Sequence, residues 1–325
     1  MTLLHPDAAA QVLADGGVVA LPTETVYGLA ARADDDAAVA QIFRTKGRPA
    51  DHPLIVHVAD AEAARHFAAD WPPLAQRLTA AFWPGPLTVI VPRRAGVAEA
   101  AAGGHAPIGL RCPSHPVFAQ VLTAARLRGV LGLAAPSANR FGRVSPTTAA
   151  HVLAEFGGAV PVVDGGECAV GIESTIVDCS RDHPVLLRPG TIDAPALAAA
   201  AGEAVRAADA QAPKAAGTLA AHYAPRARLR LFAPEALAQA LAEAATRPPA
   251  GLAVYSRARW AHVAWRWVAM ADDPGLTARQ LFATLRRLDD EGVREIWVEA
   301  PPGDDPRWAG VLDRLQRAAV AHLSV

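Results

Sequence analysis

Val18-Val19-Ala20-Leu21-Pro22-Thr23-Glu24-Thr25-Val26-Tyr27-Gly28-Leu29 is the stretch on which the reading of this chain turns. A strand-like apolar run, Gly17 to Leu21, stops at a proline and delivers three consecutive polar side chains before apolar character resumes. A hydrophobic core has no use for three hydrogen-bonding side chains in a row, whereas loops beyond strand ends are where α/β proteins hold ligands. A helix cap with Thr23 or Thr25 at the N-cap accounts for the same residues. On this stretch alone both readings stand.

The next polar stretch, Arg44-Thr45-Lys46-Gly47-Arg48-Pro49-Ala50-Asp51-His52, gathers several cations between residues that stop a helix. It suits a phosphate, and equally a solvated helix C-terminus whose basic residues complement the dipole. Only two lysines occur in the chain, Lys46 and Lys214, arginine filling the other cationic positions. A compact ammonium and a planar guanidinium are not equivalent at a tight phosphate site. Lysine and arginine total 31 against 32 acidic residues, so no overall field draws the chain onto nucleic acid or anionic lipid. Any RNA contact would have to be local. The apolar runs are strand-length, short of the ~20 residues of a membrane span. The N-terminus shows no secretory pattern, and Cys112, Cys168 and Cys179 form no C-x-x-C. No disulfide framework or zinc site is expected, and a reduced cytoplasm fits.

The 325 residues allow two domains. Strand-like runs are Val18–Leu21, Leu54–Val58, Leu87–Val91, Ile108–Arg111, Gly132–Ala135, Val160–Val163, Thr175–Asp178 and Val185–Leu187. Helix-like segments Ala37–Thr45, Ala61–Ala69, Leu74–Phe82, Pro116–Arg126 and Thr147–Phe156 lie between, with Ser145-Pro146-Thr147-Thr148 read as an N-terminal cap. Crossover spacings together with hairpin-like returns predict a mixed sheet. After a helix at Pro195–Ala201, an alanine-rich tract broken by Pro213 and Gly217 reads as a linker. Alternation then resumes: strands Leu229–Phe232, Gly251–Tyr255, His262–Met270 and Glu295–Glu299, helices Pro234–Ala245, Leu276–Asp290 and Trp308–His322. That is a small Rossmann-like domain. The expected domains are 5–193, a linker or lid at 194–228, and 229–325.

Neither G-x-x-x-x-G-K-[ST] nor G-x-G-x-x-G occurs, and there is no G-x-S-x-G or H-E-x-x-H. Other polar clusters do follow strand-like runs: Arg111-Cys112-Pro113, Ala135-Pro136-Ser137-Ala138-Asn139 with Ser145, Glu173-Ser174-Thr175, and Leu187-Arg188-Pro189-Gly190. Guanidinium forks suit carboxylates and phosphates, while Ser and Asn equally make turns. His57, inside an apolar strand, is by itself more simply a satisfied core residue. Trp83, Trp260, Trp265, Trp267 and Trp297 read as packing.

In order and spacing these motifs, with Trp83-Pro84-Gly85-Pro86-Leu87-Thr88 and His222-Tyr223-Ala224-Pro225, resemble the YrdC-type threonylcarbamoyl-AMP synthases in their long, two-domain form. The resemblance implies an α/β fold: a YrdC-like twisted mixed sheet plus a smaller Rossmann-like C-terminal domain. It implies a nucleotidyltransferase that condenses L-threonine, bicarbonate (or CO2) and ATP into threonylcarbamoyl-AMP and pyrophosphate, beginning tRNA threonylcarbamoyladenosine modification. A downstream tRNA threonylcarbamoyl transferase complex would take the product. By the same resemblance Thr25, His57, Arg111, Ala135 and Ser174 would hold threonine. Lys46, Arg48, His52, Pro107, Ser137, Asn139, Ser145, Arg188 and Tyr223 would surround ATP, Lys46 and Arg48 serving the chemistry itself. Mg²⁺ would come with the triphosphate, with no metal site made by the protein. His52 stands where the family usually has asparagine, and Phe141 where it usually has serine.

Two other readings compete. A double-stranded RNA or tRNA-binding module without catalysis is disfavoured by the balanced charge, which leaves room only for a weak tRNA or double-stranded RNA contact. A carbamoyl-handling maturation enzyme sharing the fold would carry acylphosphatase and zinc-finger segments, and this chain has no C-x-x-C.

Overall fold

The computed structural model describes residues 3–247, 249–260, 262 and 265–321, so the outer ends of the expected elements at 262–270 and 308–322 fall partly outside the described residues. The chain divides into two compact units, Met1–Phe141 with Ser145–Thr218, and Gly142–Val144 with Leu219–Val325.

The first unit is built on a nine-stranded mixed sheet. Its strands are β1 (Val19–Leu21), β2 (Gly28–Arg32), β3 (Ile55–His57), β4 (Leu87–Pro92), β5 (Pro107–Arg111), β6 (Leu133–Ala134), β7 (Thr175–Asp178), β8 (Val185–Arg188) and β9 (Arg206–Ala207), in the order β1-β2-β6-β3-β5-β4-β7-β8-β9. Helices α1 (Pro6–Ala14), α2 (Asp36–Lys46), α3 (Ala61–Phe67), α4 (Pro73–Phe82), α5 (Pro116–Arg126), α6 (Ala149–Phe156) and α7 (Ala194–Ala201) accompany it. One apolar cluster joins Leu13 of α1 and Phe118 and Val121 of α5 to Val19 and Leu133. A larger one joins Ile42 of α2 and Leu78 of α4 to Leu29, Val56, Val89 and Leu110. A small third cluster, Ile55, Ile90, Ile176, Val185 and Leu187, has Ala212, Ala215 and Ala216 packed against it.

Register places the polar residues of interest side by side. His57 pairs with Leu133 on one side and Arg111 on the other; Arg111 pairs with Thr88, Thr88 with Ile176, and Ile176 with Arg188. Paired residues share a face, so His57, Arg111, Thr88 and Arg188 form one row across five strands, although Arg111 and Arg188 are far apart in sequence.

The second unit holds β10 (Arg228–Phe232), α8 (Pro234–Ala244), β11 (Leu252–Ser256), β12 (Trp265–Ala269), α9 (Pro274–Asp290), β13 (Glu295–Glu299), a 3-10 turn at Pro306–Trp308 and α10 (Ala309–Val320). Its sheet is parallel throughout in the order β10-β13-β11-β12, as a doubly wound α/β unit requires.

Two local expectations are corrected, and two further elements went unforeseen. The stretch Val160–Val163 makes only isolated bridges, Val162 to Leu3 and to Ala20. Helix α6 starts at Ala149 with the Thr148 side chain as cap, so Ser145 and Pro146 lie before the helix rather than in its first turn. Strand β2 was not foreseen, because Gly28-Leu29-Ala30-Ala31 is buried on both faces and shows no alternation. Nor was α1, whose N-cap His5 makes no side-chain cap and whose face is mostly alanine.

Candidate active site

The polar stretch after β1 is a turn, and no helix follows it. The Thr23 hydroxyl accepts from the amides of Thr25 and Val26 (3.2 Å each), donates to Val26 O (2.6 Å) and lies 2.8 Å from the Thr25 hydroxyl. Serine and threonine side chains compete with helix and ladder bonds in this way. The helix-cap reading is thereby excluded. Both threonines and Glu24 are buried. Glu24 Oε1 accepts from Arg111 Nη2 at 2.6 Å and its Oε2 from the Ser114 amide at 3.2 Å.

His57 stands beside Arg111 at the end of β3, its Nδ1 3.2 Å from Ile55 O. Burial first and the Arg111 charge second push its pKa down to about 3, so the ring is neutral near pH 7. Farther along the row, Ser174 Oγ is 2.8 Å from Thr88 Oγ1 and accepts from Arg188 Nη2 at 3.1 Å. Arg188 Nε donates to Ser174 O (3.0 Å) and Nη1 to Ala216 O (2.8 Å). Gly190 makes this approach feasible, since a Cβ there would lie 2.5 Å from the Thr175 amide nitrogen. Ala135 is buried, and its amide donates to Ile55 O at 3.0 Å.

On the other side, α2 ends at Gly47, whose φ of +64° lets the chain turn out of the helix directly after Lys46. Lys46 Nζ donates to Ser137 O (2.6 Å) and Asn139 O (2.5 Å). Burial first and the neighbouring Arg48 second hold its pKa well below the lysine range, with Glu155 and Glu173 opposing. Lys46 and Arg48 are therefore not solvated helix-end charges, being 3% and 9% exposed, whereas Arg44 in the last turn of α2 is exposed. Arg48 Nη2 donates to Pro53 O (3.0 Å), and its guanidinium lies 5.7 Å from the Phe141 ring centre. His52 meets the same ring edge-on at 5.5 Å, and its pKa is lowered by burial and then by Arg48. Ser145 Oγ donates to Glu173 Oε1 at 2.5 Å. Asn139 is buried, with Nδ2 donating to Arg140 O at 2.7 Å; Pro107 and Ser137 are half-buried.

The first unit thus carries buried ammonium and guanidinium groups among hydroxyls and small residues. Such a set neutralises and orients anions.

A family model described as "Telomere recombination", the Sua5/YciO/YrdC domain, matches residues 11–190. A second, described as "Threonylcarbamoyl-AMP synthase, C-terminal domain", matches residues 190–320. Threonylcarbamoyl-AMP synthase of Pyrococcus abyssi is 36% identical over 329 residues, covering 96% of this chain and 93% of the relative. The chain belongs to the threonylcarbamoyl-AMP synthase family. The Bacillus subtilis threonylcarbamoyl-AMP synthase is likewise 36% identical, over 96% of this chain and 92% of its own. The crystal structure of Pyrococcus abyssi Sua5 complexed with L-threonine superimposes with a TM-score of 0.88 at 34% identity, over 97% of this chain and 94% of that one. The α/β fold expected from the resemblance, a large mixed sheet plus a smaller parallel one, is the fold of this synthase family.

Within that frame the expected residues fall into groups. Arg111 and His57 are neighbours on β5 and β3, and Ser174 is bonded to Arg188. Lys46 holds the Ser137–Asn139 loop. Tyr223 belongs to the second unit, where its ring stacks on Phe282 (5.6 Å) and lies 5.2 Å from the Arg314 guanidinium. Sequence reasoning gave no role to Glu24, Thr88 or Glu173, although each stands in a quoted motif. Their signal was a polar side chain set within or next to a strand-like apolar run. Their partners, 87, 86 and 28 residues away, were not readable.

Proposed function

We infer that this chain is a threonylcarbamoyl-AMP synthase, a nucleotidyltransferase that joins L-threonine, bicarbonate (or CO2) and ATP into threonylcarbamoyl-AMP with release of pyrophosphate. The observation that carries this reading is the buried row Arg111–Thr88–Arg188, together with buried Lys46 on the Ser137–Asn139 loop, in a chain that matches the family over nearly its whole length. The amine of threonine adds to CO2 to give a carbamate and loses its proton. A carbamate oxygen then attacks the α-phosphate, and the bond to pyrophosphate breaks. Such chemistry needs charge neutralisation and alignment more than a protein nucleophile.

In this reading Arg111 pairs with the threonine carboxylate, and Thr25, neutral His57, Ala135 and Ser174 shape the rest of the amino-acid side. Lys46, Arg48, His52, Pro107, Ser137, Asn139, Ser145 and Arg188 serve ATP, and Tyr223 is kept as a nucleotide contact on its motif alone. Lys46 and Arg48 compensate charge on the reacting phosphates, Lys46 also by fixing the loop beside them.

Among the described residues no three His, Cys, Asp or Glu side chains group as a metal cage. The donors on the ATP side are the hydroxyls of Ser137 and Ser145 and the Glu173 carboxylate, a set that fits Mg²⁺ held chiefly by phosphate and water. The ion would supply charge neutralisation on the triphosphate.

No helix among the described residues is long and apolar enough to cross a membrane. The reading assigns the enzyme to the cytoplasm, with its product consumed by a tRNA threonylcarbamoyl transferase complex. Any direct tRNA contact would be weak, since the formal net charge is −1.

The test is pyrophosphate release from ATP by the purified protein, with threonine and bicarbonate each supplied or withheld. Release that requires both is expected. Release independent of threonine, or none from folded protein, would overturn the assignment.

A further inference from the structure

Glu24 sits in the middle of the turn after β1, and no role has been given to it so far. Its carboxylate is buried and engaged at both oxygens, Oε1 by Arg111 Nη2 and Oε2 by the Ser114 amide. Its main chain is anchored on the opposite side: the Val170 amide donates to Glu24 O at 2.7 Å, and the Gly171 amide to Thr25 O at 3.1 Å. The Thr23 hydroxyl closes the turn beneath it. Glu24 is therefore fixed before any ligand arrives.

Arg111 is its counterpart. Nη2 is taken by Glu24 and Nε points to Gly85 O at 3.4 Å, while Nη1 has no hydrogen-bond partner among the described residues. A planar guanidinium held at two nitrogens can present the third in one direction only. Without the carboxylate, Arg111 would also be a buried cation lacking a counter-ion, which is costly.

We propose that Glu24 is a positioning residue for amino-acid recognition: it neutralises Arg111 and aims Nη1 at the carboxylate of the α-amino acid substrate. The proposal rests on the synthase reading. It gives the Thr-Glu-Thr turn a division of labour, with Thr23 closing the turn, Glu24 orienting Arg111 and Thr25 facing the amino-acid side. The two anchors at 170–171 tie the same turn to the loop that leads into Ser174, so both ends of the amino-acid side share one support.

The experiment is a double-mutant cycle between Glu24 and Arg111, read by steady-state pyrophosphate release and by calorimetry. Glu24→Gln keeps shape and an acceptor but loses charge. It is expected to raise KM for threonine about tenfold while changing kcat less than about twofold and leaving KM for ATP unmoved. In an Arg111→Ala background the same substitution should change the threonine requirement no further. Additive effects would mean that Glu24 contacts the substrate itself, and the proposal would be wrong. Equal losses for threonine and ATP would reduce Glu24 to a structural role and also overturn it. Should Glu24→Gln not fold, Glu24→Asp offers the second route: it keeps the charge but withdraws the carboxylate from Arg111 by one methylene, and should give a threonine-only rise in KM, an unchanged KM for threonine overturning the proposal. If the wild type releases no pyrophosphate with threonine, the synthase reading fails first. Thermal shifts of wild type and Glu24→Gln by a panel of α-amino acids then judge Glu24 alone, an equal response overturning it.

Discussion

Replacing Arg188 with lysine should cost far more than the conservation of charge implies. The guanidinium is 3% exposed and donates to Ser174 O, Ser174 Oγ and Ala216 O at 3.0, 3.1 and 2.8 Å. Hydrogen bonds from a charged donor contribute about 1.5–3 kcal/mol each, so these sum to about 4.5–9 kcal/mol. A lysine ammonium lacks the planar fork and recovers one of them, leaving a gross loss of about 3–6 kcal/mol. Relaxation and water entry return part of that, and a net loss of about 3 kcal/mol is expected, a large share of the ~5–15 kcal/mol of a typical domain. Urea unfolding followed by tryptophan fluorescence measures it, and calorimetry on the same variant measures ATP and threonine affinity. Because two of the three bonds end on Ser174, both ligands should weaken, ATP more than threonine. A shift below about 1 kcal/mol with ATP affinity intact would refute the reasoning.

Arg111→Ala should raise the threonine requirement by at least about tenfold and leave that for ATP nearly unchanged, if Arg111, held by Glu24 and Gly85, pairs with the threonine carboxylate as proposed; calorimetry with each ligand decides. His57 gives a pH signature: the folded ring holds its proton only below about 3, the unfolded ring up to ~6.5, so the unfolded state binds the extra proton in between. Stability should be independent of this group above ~pH 6.5 and fall by about 1.4 kcal/mol per unit as pH drops below it; the slope should flatten in His57→Gln, as urea midpoints at several pH values would reveal. Burial raises the thiol pKa of Cys112 to about 11 and of Cys168 to about 12, and pushes Cys179 up as well. A disulfide reagent at neutral pH should therefore find no reactive thiol in the native protein and all three after denaturation.

Much of this architecture was readable without coordinates. Helix α5 is bounded by the Pro116 at its start and the end of its apolar periodicity, and β13 by the polar residues around Ile296-Trp297-Val298. The failures have a common cause. Strand β2 and α1 are built from small residues whose burial is set by neighbours, so neither period shows in the side chains. For the site, the arginines at strand ends announced themselves, because charge next to Pro and Gly at the end of an apolar run is expensive to leave in a core. What could not be read was the pairing. Glu24 and Arg111 meet because the turn after β1 and the end of β5 converge in space, and the local sequence of neither mentions the other.

The row that runs from His57 through Arg111 and Thr88 to Arg188 follows spatial order and not chain order. During synthesis, the histidine and the first arginine of the row are made early, yet the row cannot close until β8 has emerged and docked beside β7. Non-local pairing of this sort is intrinsically slow. No shorter nascent fragment of this chain carries the whole row, so a ligand that needs all of it, as the proposed assignment has it, can stabilise only the finished unit and never a partial one.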